Sequence, residues 1–87
     1  MRRSIDDLPA DPATYPRVDE DEPLPAMSWA VAVSDDYEDT EPRVVLTVEE
    51  VGRAGTGLVA HLDAASARRL RIALRDGLRE IGEDPGI

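Results

Sequence analysis

Between Asp63 and Gly82 the apolar residues fall on a helical period, and this stretch constrains the fold more than any other in the chain. At about 100° per residue, Ala67, Leu70, Leu74, Gly77, Leu78 and Ile81 share one stripe. Asp63 stands where an N-cap belongs, and Leu62 and Ala67 are placed to close a hydrophobic staple around it. Gly82 and Pro85-Gly86 supply the stop signals. A helix over 63–82 follows, and a helix of this kind needs an apolar surface to cover.

The surface available upstream reads as strands. Trp29, Val31 and Val33 alternate with Ser28, Ala30, Ala32 and Ser34, a period of two. Turn formers and charge from Asp35 to Pro42 break that pattern. Val44-Val45-Leu46-Thr47-Val48 resumes it, Gly52–Gly57 forms a loop, and Leu58–Leu62 is a third strand. Thr47 and Glu50 also have the spacing of a capping box, so a helical turn over Thr47–Arg53 is the competing reading. Short connections favour antiparallel neighbours. The expected fold is therefore α+β: a three-stranded antiparallel β-meander with one C-terminal amphipathic helix packed on it, over residues 27–87. Its core would join Trp29, Val31, Val33, Val44, Leu46, Val48, Leu58 and Leu62 to Leu70, Leu74, Leu78 and Ile81.

Residues 1–26 differ in kind. They hold five of the seven prolines and set Arg2, Arg3 and Arg17 against seven carboxylates, a net of −4. So little apolar surface cannot offset the entropy of ordering, and a disordered acidic tail is expected, with a docked segment around Leu24-Pro25-Ala26 as the alternative. The remaining domain has one Trp and no Phe. A domain of that size buries only about 60% of its unfolded surface. Dimerisation, by sheet continuation or through an uncovered face, is the expected remedy.

Little in the chain suggests catalysis. Without cysteine there is no disulfide framework, thiolate zinc site or thiol nucleophile. Gly52 and Gly57 have the spacing of a phosphate-binding loop, but Leu58 stands where that motif needs Lys, and the loop leads into a strand. An EF-hand starting at Asp35 would place Tyr37, Asp39, Thr40 and Leu46 at its third, fifth, sixth and twelfth positions, which fails. His61, the one imidazole, points with Val59 on its strand and reads as a half-buried structural residue. No catalytic residue, metal or cofactor is expected. No apolar run approaches the ~20 residues of a membrane span. Asp6 and Asp7 follow Met1-Arg2-Arg3 where a signal peptide would be apolar. Lys, Asn and Phe, which have AT-rich codons, are missing, so a cytoplasmic bacterial or phage protein from a GC-rich genome is expected.

Two surfaces could bind. Opposite the apolar stripe lie Arg68, Ile72, Arg75 and Arg79, with Arg71 alongside: an apolar centre inside a charged rim. Its ligand would be an acidic peptide, a second subunit or the chain's own Asp19–Glu22 run. Ile72→Asp should leave the fold intact and weaken that binding. The second surface is acidic: Asp19, Glu20, Asp21 and Glu22 with Asp35, Asp36, Glu38 and Asp39. The expected function is a non-enzymatic interaction or regulatory module that forms a homodimer and binds a protein partner. An acidic nucleic-acid mimic that inhibits a basic protein is the alternative. Direct nucleic-acid binding is not expected: five Arg balance five carboxylates over residues 63–87, leaving the net charge of −9 on the rest of the chain.

From Trp29 to Gly82 the chain resembles the N-terminal dimerisation domain of actinobacterial H-NS-like nucleoid-bridging proteins, the xenogeneic silencers. The likeness rests on a first strand entering the acidic turn Val33-Ser34-Asp35-Asp36-Tyr37-Glu38-Asp39, a second strand ending at Gly52, and a third leading into the capped helix. Leu62, Ala67, Leu70, Arg71 and Leu74 match residues of that family's helix. The family's basic linker and Arg-Gly-Arg hook have no counterpart after the helix. The resemblance therefore implies a dimerising module without the silencer's DNA-binding end, able to join or poison the silencer's oligomers.

Overall fold

The computed structural model describes residues 1–9, 26–53 and 55–86. Strands β1 (Arg2–Pro9), β2 (Met27–Ser34), β3 (Arg43–Glu50) and β4 (Leu58–Leu62) precede helix α1 (Ala64–Glu80). The strands form one antiparallel sheet in the order β1-β2-β3-β4. The class is thus α+β, an antiparallel sheet with one C-terminal helix. The helical turn at Thr47–Arg53 does not form, because Thr47 is laddered to Ala30 on one side and Val59 on the other.

The expected three-stranded meander is corrected to four strands. Arg2–Pro9, placed by composition in the acidic tail, pairs along β2 from Arg2↔Ser34 to Pro9↔Ser28. A ladder is made of backbone groups, so a strand at the sheet edge can form with hardly any apolar side chains. The register slips between Ser4 and Asp6, leaving Ile5 as a bulge. The Asp19–Glu22 run and the Leu24-Pro25 segment lie outside the described residues.

Cross-strand pairing sorts the side chains into two faces. Trp29, Val31 and Val33 share one with Val44, Leu46, Val48, Leu58, Ala60 and Leu62. Ala30, Ala32 and Ser34 share the other with Arg43, Val45, Thr47, Val59 and His61. The expected core lay on the first face, beneath the helix, and that face is not closed. Among the described residues, the buried ones are Val45 (1% exposed), Ala32 and Ser34, all on the second face. Tyr37, from the β2–β3 turn, reaches this face. Its hydroxyl meets His61 Nδ1 at 2.8 Å, and the Arg43 guanidinium stands 4.6 Å from its ring centroid. Arg43 and His61 are the neighbours of Val45 on that face, so the cluster stands beside it.

Both helix ends are built as the sequence requires. The Asp63 carboxylate accepts the Ser66 N–H at 2.8 Å. At the other end Gly82 takes φ +78°, a conformation that favours glycine. Its N–H donates to the Arg79 carbonyl at 3.0 Å, and the Glu83 N–H reaches the Leu78 carbonyl at 2.9 Å, a Schellman motif. Asp63→Ala should therefore cost about 1 kcal/mol in urea denaturation; an unchanged midpoint would mean that the cap adds nothing. In the β3–β4 loop a Cβ on Gly57 would stand 2.9 Å from the Val48 carbonyl oxygen, so close approach explains this glycine.

Candidate interaction surface

α1 comes near β3 and β4 and stands off from β2. The helix follows β4 after one capping residue, which fixes its start above Leu62, but its apolar stripe does not settle onto the sheet. None of its residues is buried, and Leu74 and Ile81 are 63% and 72% exposed. Between helix and sheet lies an open groove of about 520 Å³. Val31, Val44, Leu46 and Leu62 form its floor, Leu70, Leu74 and Leu78 its wall, and Arg71, Arg75 and Arg79 line its margin. An apolar trough with a cationic rim can take apolar side chains while offering charge to whatever crosses its edge.

The expected patch on the far side of the helix is divided by this geometry. Arg75 and Arg79 line the groove together with Arg71, while Arg68 and Ile72 do not. Ile72 is 43% exposed. Arg75 is half-buried and donates to the neighbouring Asp76 carboxylate through Nε and Nη2, at 3.2 and 3.1 Å. Helical spacing placed Arg75 and Arg79 off the stripe, but the groove continues to Pro85 and Gly86 and so reaches them. No family model matches the chain, and neither a curated protein nor a solved structure shows significant similarity to it.

The acidic turn is already engaged within the chain. The Met1 amino group pairs with Asp35 and Asp36. That contact raises the pKa of the amino group and lowers that of the Asp35 carboxyl. Asp39 accepts both terminal nitrogens of Arg43, at 2.7 and 2.9 Å, while Glu38 is exposed. A nucleic-acid mimic needs carboxylates turned outward, and three of the four here face a cation of their own chain. Asp19–Glu22 lie outside the described residues. Among the described residues, no three His, Asp or Glu side chains gather as a metal would need, and no helix is long and apolar enough to cross a membrane.

The Arg43 guanidinium holds the Asp39 carboxyl down to about 2, below its ordinary 3.8. A lowered carboxyl contributes stability above its unfolded value and loses it as pH falls through the folded one. The pair should therefore contribute its full stability above pH ~4 and lose it between pH ~4 and ~2, while in the folded chain it opens only as pH falls through about 2. An NMR titration of the Asp39 carboxyl reads this directly. A midpoint near 4 would mean that the pair does not persist in water.

Sequence reasoning missed the Tyr37–Arg43–His61 cluster. Tyr37 was read only as part of a turn, and nothing in its spacing tells which face of the sheet the turn folds over. His61, expected to be half-buried, is exposed with its ring edge-on to Tyr37.

Proposed function

We propose that the chain is a non-enzymatic interaction module that works as a homodimer and serves a further protein partner. One observation carries this reading: α1 has a complete apolar stripe, sound caps at both ends and no buried residue. Isolated helices of this length are marginal in water, and most helices in proteins are held by packing of their apolar face. Here the sheet supplies only part of that packing. Burying the remaining exposed surface of Leu70, Leu74, Leu78 and Ile81 is worth roughly two whole side chains, or about 3–6 kcal/mol per copy. A second copy can provide that cover symmetrically.

The resemblance to the silencer dimerisation domain supports a partner of the same construction, whose oligomers this chain would join or block. Light scattering over a range of protein and salt concentrations tests the first half of the proposal. The expected result is a dimer that persists at high salt, because apolar contact is not screened. A monomer at every concentration would remove the reading. Failure to co-purify with any such silencer would remove that choice of partner and leave the dimer standing.

A further inference from the structure

The two edges of the sheet are chemically unlike. β1 carries Arg2, Arg3 and Asp6, bulges at Ile5 and ends at Pro9. These are the devices by which natural edge strands discourage pairing. β4 has none of them. Leu58-Val59-Ala60-His61-Leu62 contains no Asp, Glu, Lys, Arg or Pro, runs in unbroken register along β3 and, among the described residues, has no strand on its outer side. Leu58 is 81% exposed and Val59 52%. A regular apolar edge of this kind invites strand addition.

The strand is also complementary to itself. Turned end for end about Ala60, it sets Leu58 opposite Leu62 of a second copy and Val59 opposite His61, with Ala60 facing Ala60. No like charges meet, and the two Leu–Leu pairs fall on the face that carries α1. We infer that a second copy of this chain joins at β4, antiparallel and centred on Ala60, so that two four-stranded sheets become one of eight. The inference rests on the self-association proposed above and fixes where it occurs.

The position of α1 fits this arrangement. It stands over β3 and β4, the strands nearest the joined edge. A two-fold axis perpendicular to the sheet keeps both helices on one face. Strands about 4.8 Å apart then bring the helix axes to about 10 Å from each other, the distance at which helices pack. Sheet continuation and cover for the exposed stripe therefore come from a single contact.

The chain has no cysteine, which makes the test direct. Ala60→Cys places two thiols on the proposed axis, where opposite Cα atoms lie about 4.5–5.5 Å apart, within disulfide range. Leu58→Cys, on the same strand, sits about 13 Å from its counterpart, four residues out of register. Both variants are oxidised in parallel and run on non-reducing gels, with light scattering of the reduced proteins alongside. The expected result is a disulfide dimer of Ala60→Cys forming at least tenfold faster than that of Leu58→Cys. Equal rates from reduced proteins that are dimeric would place the interface elsewhere and overturn this inference alone. Reduced proteins that are monomeric, with equal rates, would overturn the self-association reading with it.

Discussion

Leu74→Asp is expected to abolish the dimer. Leu74 sits mid-helix on the groove wall and is 63% exposed. In a lone chain an Asp there stays solvated, so the local cost is small, a few tenths of a kcal/mol in helix propensity. In a dimer that covers the stripe, the same carboxylate is desolvated without a designed partner, and twice, once per copy. Each such burial costs several kcal/mol, more than the exposed stripe has to offer. Leu74→Ala gives the graded version: about 2–4 kcal/mol per dimer, or roughly a 30- to 700-fold weaker dissociation constant. Sedimentation of both variants against the unaltered protein measures the effect, and circular dichroism reports whether the helix survives. Ile72→Asp is the paired control, since Ile72 lies off the groove lining. Loss of the dimer in Ile72→Asp with retention in Leu74→Asp would move the interface to the arginine-bordered far side of the helix. Retention in both would take α1 out of the contact.

The legible parts of this fold are those with their own period. β2 and β3 are legible from alternation, β4 from its place after the Gly52–Gly57 loop, and α1 from its stripe, Asp63 and Gly82, because those signals are local to the segment that folds. β1 was not, since the pairing of Arg2–Pro9 is a matter of backbone groups and of a partner strand whose paired residues lie well along the chain, from Pro9↔Ser28 to Arg2↔Ser34. The groove was half legible. The sequence shows which helix face is apolar, but the stand-off of α1 from β2 depends on how the helix leaves β4, and no periodicity encodes that. Strand order was legible for β2 to β4, since a meander puts Leu58-Val59-Ala60-His61-Leu62 at an edge, and the structure keeps it there. The buried side of the sheet was misjudged. Ala32 and Ser34 are small, so the larger Trp29, Val31 and Val33 dominate the alternation, and nothing in it tells that a tyrosine from a charged turn joins the face of Val45.

The burial of Val45 carries the other large effect. Val45 is the one fully buried side chain among the described residues, set between Ala32 and His61 in the ladder. Val45→Ala removes two methyl groups and leaves a void at a fully buried site, a loss of about 2–3 kcal/mol. In a domain this small that should lower the midpoint of thermal unfolding by roughly 8–20 °C. Val45→Asp places a charge with no partner in the same site and should leave the chain unfolded at room temperature. Neither change touches the face that carries α1. Below its unfolding transition Val45→Ala should therefore dimerise within about threefold of the unaltered chain, a difference under ~0.7 kcal/mol. Stability and association would then separate: Val45 sets the first through one face of the sheet, and Leu74 sets the second through the other. If Val45→Ala weakened the dimer as strongly as Leu74→Ala, the two faces would be coupled, and the cluster around Tyr37 would have to form part of the contact between copies.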